Sequence, residues 1–424
     1  MEEIEIPHYF ICPISLQIMK DPVTAITGIT YDRESIEHWL FTTKNTTCPV
    51  TKQPLPPSSD LTPNHTLRRL IQAWCTEHSS HGFDRIPTPK PPLDKAQILK
   101  LLKDLQGQPQ LQLKSIKQLE ILAAENERNR KYMIEAGVSK AIFSFISTCC
   151  FPRNQTDQGL EQALSILHYL VRINNSNSNS NNYISSSGSS EKNLIEDEQV
   201  MDSLTWVLSC NLENHITTHA ILVLKSIIEK APNPSDLSRL KPEFFKNMIG
   251  EVLRRSDKNV VTHQGLNAAL QILLEACPVG RNRLMMVEYG AVFELVELEM
   301  RLTERKTTEL VLGILFHLCS CADGRAQFLS HKASIAVVSR RILRVSPAVD
   351  DRAVMIFSMI CRFSGTKQVL REMLEFGAVS RLNVLMQVEC AAYLKERARE
   401  MLKAHSGEWK DSSCVGSSHY PKVI

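Results

Sequence analysis

Phe10-Ile11-Cys12-Pro13-Ile14-Ser15 is followed in order by Lys20-Asp21-Pro22-Val23, Gly28-Ile29-Thr30-Tyr31-Asp32-Arg33, Cys48-Pro49-Val50-Thr51 and Thr62-Pro63-Asn64. This series describes two loops around a central helix. A pair of zinc ions often organises such a layout, and each tetrahedral zinc takes four N or S donors, mostly from C-x-x-C pairs. Through residue 80 the chain offers seven candidates: Cys12, Cys48, Cys75, His8, His38, His65 and His78. None falls in a C-x-x-C pair, and Ser15 stands where the second cysteine would be. No metal and no cofactor are expected.

The remaining chain is long enough for two or three domains, with 424 residues and 43% hydrophobic content. A net charge of +3 gives little reason to expect nucleic-acid or membrane attraction. The first 78 residues carry six Lys/Arg against nine Asp/Glu, which argues further against a DNA-binding finger. Twelve cysteines are scattered through mostly apolar helical patterns, as suits reduced thiols in cytoplasm or nucleus. Met1-Glu2-Glu3-Ile4-Glu5 has no apolar signal core, and no run approaches the ~20 apolar residues of a membrane span.

Arg85-Ile86-Pro87-Thr88-Pro89-Lys90-Pro91-Pro92 reads as an extended, semi-rigid spacer over residues 79–93. It serves as a linker or, alternatively, as a docking segment. Beyond it, apolar triplets recur at three-residue spacing: Ile116-Leu119-Leu122, Leu164-Leu167-Leu170, Ile221-Leu224-Ile227, Leu270-Leu273-Ala276, Leu312-Leu315-Leu318 and Val354-Phe357-Ile360. Their steps of 48, 57, 49, 42 and 42 residues resemble the ~40–47-residue period of armadillo and HEAT arrays. A second signature runs from Asn129-Arg130 to Ala136-Gly137 and from Asn282-Arg283 to Gly290-Ala291, with a variant ending Gly377-Ala378. Glycine suits the helix stop in each, because it tolerates positive φ. The longest step holds an Asn/Ser tract over residues 174–190, whose composition predicts disorder. Six repeats and a closing helix near 389–404 make one solenoid over residues 94–406, leaving 407–424 as a flexible tail.

The amino-terminal motifs resemble the U-box, a RING-like fold without metal, over roughly residues 5–78. The expected architecture is therefore a small α+β U-box followed by an all-α armadillo-repeat solenoid. U-boxes act in ubiquitin transfer. The resemblance implies a scaffold that docks a ubiquitin-conjugating enzyme charged with ubiquitin, forms no covalent intermediate and works by positioning. It implies that Ile14 and Leu16 on the first loop and Pro49 on the second meet that enzyme. An apolar Ile14 between Pro13 and Ser15 is costly in water unless a partner or the core covers it, and a partner is the favoured reading. Lys52 falls where many relatives carry an arginine that bridges to ubiquitin; lysine keeps the charge but loses the bidentate fork.

Other residues read as structural. Cys12 and Cys48 are expected to pack as small hydrophobes, Val23 as strand core, and Asp32 as a helix cap. Trp39, on a helix expected from Glu34 to Phe41, resembles the family's groove residue, with a plain core role as the alternative. Asn64 is expected to cap a last helix whose apolar face is Leu67, Leu70, Ile71 and Trp74. Thr62-Pro63 and Thr88-Pro89 are candidate proline-directed phosphorylation sites, and self-association through the U-box is a further expectation.

A U-box joined by this spacer to armadillo repeats is the plan of the plant U-box/armadillo ubiquitin ligases. The stretches Cys48–Pro54, Asp60–Gln72 and Arg85–Pro92 resemble the elicitor- and stress-responsive subgroup. The resemblance implies protein substrates bound by the repeats, and a role in plant defence and stress signalling. The competing readings are a pseudo-ligase, which intact Ile14, Leu16 and Pro49 argue against, and a non-enzymatic cargo receptor. Cargo receptors on this scaffold carry regular Trp-Asn arrays, whereas this chain has only Trp206 and Trp409 beyond the U-box.

Overall fold

Pro22-Val23-Thr24 and Thr30-Tyr31-Asp32 flank a turn that needs a left-handed residue, and Gly28 supplies it at φ +79°. In the computed structural model these stretches are β1 (Pro22–Thr24) and β2 (Thr30–Asp32), paired antiparallel with Val23 opposite Tyr31. The strand β3 (Thr62–Pro63) joins the other edge of β1, giving the order β2-β1-β3. Residues 5–42, 45–56, 61–78, 95–150, 159–177, 198–210, 213–229, 234–256, 261–302 and 304–409 are described. The spacer with Thr88, residues 178–190 of the Asn/Ser tract and residues 410–424 lie outside them. Two units divide the chain, Met1–Leu93 and Asp94–Ile424.

In the first unit, helix α1 (Arg33–Glu37) continues into π-helical turns over His38–Thr42, and α2 (His65–Glu77) follows β3. Val23, Tyr31, Ile36, Leu40, Leu55 and Ile71 form the centre of its small core, with Phe10, Cys12 and Cys48 around them. So few buried side chains stabilise a domain of this size only modestly, so hydrogen bonds at the loops matter. Asn64 caps α2, its side-chain oxygen accepting from the Leu67 N–H at 3.0 Å. Leu70 departs from the expected apolar face. It is exposed, and the core side of α2 is made by Ile71 and Cys75 with Leu67 and Trp74 partly buried.

In the second unit all eighteen residues of the six apolar triplets are buried. They fall on the helices Pro109–Glu125, Leu160–Asn177, Asn214–Ile228, His263–Ala276, Arg305–Cys319 and Pro347–Ser364, one per repeat. Each packs on the next, and Ala392–Ala404 closes the row against Pro347–Ser364. An apolar stripe at i, i+3, i+6 covers one face of a helix and cannot be buried alone, so stacking is the way to keep it dry. Gly137, Gly290 and Gly377 adopt φ of +79°, +82° and +77°, as the helix-stop signature requires.

The asparagine and arginine of that signature do more than mark a helix. Asn129 and Asn282 donate to the carbonyls of Leu122 and Ala276 at 3.2 Å. Arg283 donates to the carbonyl of Cys277 at 2.9 Å, and Arg325, on the helix Ala322–Ser330 outside the signature, does the same to Cys319 at 3.0 Å. They satisfy the open carbonyls at the end of the preceding helix, where a cation is also favoured by the dipole.

Two boundaries are corrected. The Asn/Ser tract does not begin outside regular structure, because the helix from Leu160 runs through Asn177. The tail does not begin at residue 407 either. Ser406–Trp409 is a short helix, and Trp409 is buried with its indole N–H donating to the Leu370 carbonyl at 3.0 Å. A tryptophan buries more apolar area than almost any other side chain, which fastens this turn to the last repeat.

Candidate functional site

Cys12-Pro13-Ile14-Ser15-Leu16-Gln17 and Cys48-Pro49-Val50-Thr51-Lys52-Gln53 match in kind at nearly every position, and they fold alike. In the first, Cys12 N donates to Gln17 O at 2.8 Å and Leu16 N to Cys12 O at 2.9 Å; in the second, Cys48 N donates to Gln53 O at 2.8 Å and Lys52 N to Cys48 O at 3.0 Å. Leu16 and Lys52 occupy the same place in the two loops, both left-handed, with φ of +56° and +59°. Each loop is closed at its base by an isolated bridge, Ile11 with Ile18 and Thr47 with Pro54.

The second strand ties the loops together. The Asp32 N–H donates to Cys12 Sγ at 3.3 Å, and the Tyr31 hydroxyl meets Cys48 Sγ at 2.9 Å. Thr27 Oγ1 and the Thr51 N–H also donate to Cys48 Sγ, at 3.5 and 3.4 Å. Two neighbouring residues of β2 therefore anchor both loops. The cysteines are buried, but they are acceptors rather than the plain hydrophobes expected from sequence. Burial pushes the Cys48 thiol up, yet the hydrogen bonds from Thr27, Thr51 and Tyr31 outweigh it and bring the thiol down to about 6. Burial likewise raises Cys12, and bonds from Ser15, Asp32 and Ile14 bring it below its ordinary value. Burial and the Cys48 sulfur both hold the Tyr31 phenol protonated.

This makes stability depend on pH. A thiol whose folded value lies below its unfolded value contributes stability that is present above the unfolded value and lost as pH falls through the folded one. Cys48 spans 9.0 to about 6. The U-box should therefore melt at a lower temperature at pH 6 than at pH 9, and Cys48→Ser should flatten that dependence. Calorimetry of the full chain at several pH values checks this; equal slopes for wild type and variant would contradict it.

Asp32 sits at the N-cap of α1, but its side chain caps nothing. Its Oδ1 instead accepts from the N–H groups of Lys20 and Asp21, both at 2.8 Å. Arg33 Nε pairs with Asp21 Oδ2 at 2.6 Å, and its Nη1 lies 3.6 Å from Glu37. A carboxylate and an ion pair thus join the end of the first loop to the start of the helix. Trp39 lies in the π-helical turns, partly buried against the core, and donates from Nε1 to the Thr47 carbonyl at 2.9 Å. It ties the helix to the base of the second loop. Asn64 adds a third tie, Nδ2 to Thr24 Oγ1 at 3.4 Å. Val23 is fully buried in β1.

Four expected docking residues come out differently. Leu16 is 76% exposed at the tip of its loop. Ile14 is half-buried, packed partly on the core and partly lining a cleft of about 360 Å³ with Ile18, Glu34, Ser35 and His38. Pro49 is half-buried and Lys52 exposed. Val50, missed from the sequence, is the counterpart of Ile14 and is 50% exposed. The signal was present in the internal likeness of the two hexapeptides. Thr62 is exposed in β3, two residues before the capping Asn64.

Comparison with known proteins agrees with both units. The U-box domain model matches residues 6–80, and the model of the plant U-box protein ARM repeat region matches residues 97–424. The chain is 42% identical to E3 ubiquitin-protein ligase PUB23 of Arabidopsis thaliana, covering 98% of this chain and 96% of that one. It is 41% identical to E3 ubiquitin-protein ligase PUB24 of the same plant, covering 100% and 97%. Among solved structures, one described as "A conserved phosphorylation switch controls the interaction between cadherin and beta-catenin in vitro and in vivo" superposes with a TM-score of 0.56. It is 11% identical and covers 82% of this chain and 61% of that one, a likeness of fold. With both family models matched in order and near-full-length relatives above 40% identity, the chain belongs to the plant U-box ubiquitin ligases with armadillo repeats.

Proposed function

We propose that the paired loops Cys12–Gln17 and Cys48–Gln53 dock the charged ubiquitin-conjugating enzyme, and that the armadillo repeats hold the protein to be modified. The activity itself, a RING-type ubiquitin transferase with no covalent ubiquitin on the ligase, follows from the family. The observation that supports the docking site is the anchoring of both loops to Tyr31 and Asp32. It places Leu16, Ile14, Pro49 and Val50 on neighbouring loops of one rigid frame, a compact apolar anchor of the kind that carries small interfaces. Lys52, at the tip of the second loop, is the cation that reaches toward ubiquitin. Catalysis of this sort consists of holding the thioester and the acceptor lysine in a reactive pose.

A reconstituted reaction with activating enzyme, a panel of conjugating enzymes, ubiquitin and ATP tests this. Self-ubiquitination should appear without added zinc and survive chelator; loss with chelator and recovery with zinc would assign the loops to a metal. Residues 90–424 alone should bind substrate and transfer no ubiquitin.

The signalling role follows the same path: we place the protein in plant stress and immune responses, acting in cytoplasm or nucleus. Among the described residues no helix is long and apolar enough to cross a membrane. Imaging of a fluorescent fusion in plant cells, before and after elicitor treatment, checks the location. Thr62 is the proposed control point. A phosphate there adds roughly −1.5 to −2 charges at the amino end of α2, beside the helix that carries Arg68 and Arg69. Protein phosphorylated in vitro by a proline-directed kinase should change its self-association by light scattering and its self-ubiquitination rate. If both match the unmodified form, Thr62 has no such role.

A further inference from the structure

The helix Ser334–Arg341 ends in two arginines, and Arg344 follows in the loop that leads to Pro347–Ser364. Cations in a last helical turn are ordinarily explained by the negative end of the helix dipole. That covers Arg340 and Arg341. Arg341 is also committed elsewhere: it pairs with the buried Glu299 carboxylate at 2.6 Å and donates to the Glu299 carbonyl at 2.8 Å. It does not cover Arg344, which lies past the helix, or Arg381, which comes from the next repeat on Ala378–Gln387.

Arg381 reaches the same loop. Its Nη1 donates to the Ile342 carbonyl at 3.2 Å. Burial pushes its proton affinity down, and so do the charges of Arg344 and Arg340. The loop that presents them is held in place: Leu343 takes a left-handed φ of +59°, which a leucine rarely adopts, and its N–H donates to Asp350 Oδ1 at 2.6 Å. One oxygen of the Asp350 carboxylate therefore accepts from the backbone of the loop. One turn along from Arg381, on the same face of its helix, Val384 is 47% exposed.

Arg340 and Arg344 flank in sequence the Ile342 carbonyl that Arg381 holds, so three like charges converge on one segment, and a shared anion would relieve their repulsion. Guanidinium forks match phosphate oxygens two at a time, a geometry lysine does not offer. We infer that Arg340, Arg344 and Arg381 form a binding site for a phosphate monoester carried by a protein segment, with Val384 contacting the apolar residue beside it. The exposed valine favours a phosphorylated side chain within a peptide over free phosphate. This rests on the reading that the repeats recruit protein substrates, and it names their class.

The test is fluorescence anisotropy with the full chain and a short labelled peptide carrying one phosphoserine between leucines, set against its unphosphorylated twin. The phosphopeptide should bind at least about tenfold more tightly, and Arg344→Glu and Arg340→Glu should each weaken it by at least about tenfold. Both arginines are exposed, so melting temperatures and self-ubiquitination should match wild type. Arg381→Lys, which keeps the charge and loses the fork, should fall between. Equal binding of the two peptides, or affinity unchanged in both glutamate variants, overturns the site. Binding to vesicles containing phosphatidylinositol 4-phosphate, lost in the same variants while the phosphopeptide does not bind, overturns the assignment to a protein ligand. If the site fails while residues 90–424 still compete for substrate ubiquitination, recruitment by the repeats stands without it. If that competition fails as well, the recruitment reading falls too.

Discussion

Ile14→Ala, Pro49→Ala and Val50→Asp should each abolish ubiquitin chain formation in the reconstituted reaction. Apolar anchors at the centre of a small interface often carry ~2 kcal/mol or more each, about thirtyfold in affinity. The loops present few of them. Val50→Asp is the cleanest of the three, because Val50 is half-exposed and its removal leaves the core intact. Ile14→Ala also removes part of a side chain packed on the core, so its melting temperature should fall modestly alongside its activity. Activity equal to wild type for Val50→Asp across the enzyme panel would place docking elsewhere. On the docking proposed above, Lys52 reports on the ubiquitin side of the same complex. Lys52→Arg should hold or raise the rate and Lys52→Ala should lower it. Each keeps a non-glycine residue at the same φ, so a difference between them reflects the side chain.

Asp32→Ala should clearly lower the melting temperature of the U-box. The carboxylate accepts two backbone N–H groups, from Lys20 and Asp21. The Asp21 bond is part-buried and the Lys20 bond exposed; a hydrogen bond to a charged group contributes ~1.5–3 kcal/mol when sheltered, and a domain this small has little stability to spare. Asp32→Asn retains an oxygen in place and should be far milder. The measurement is the U-box melting transition in the full chain, with self-ubiquitination as a second readout. If Asp32→Ala melts with wild type, the two hydrogen bonds contribute little and the Arg33–Asp21 pair holds the loop.

Local chemistry settled much of this protein in advance. The three-residue apolar spacing wrote the buried stripe of six stacked helices, because a helix repeats every 3.6 residues whatever surrounds it. Glycine at the helix stops and Asn64 before α2 were legible for the same reason: positive φ and an N-cap are needs of one turn of chain. Missing C-x-x-C pairs excluded the usual zinc arrangement by counting alone. The partners of Asp32, the sulfurs of Cys12 and Cys48, and the burial of Trp409 were not legible. Each depends on a residue brought near only by the tertiary fold: Lys20 and Asp21 against Asp32, Tyr31 against Cys48, Leu370 against Trp409. The same holds for Leu70, which the helical period places beside Leu67 and Ile71 but which is exposed. Sequence by itself determined the repeats, the loops and the family. Only the tertiary structure decided which polar atoms tie the two loops and which apolar side chains stay exposed, because hydrogen bonds and burial are settled between segments far apart in the chain.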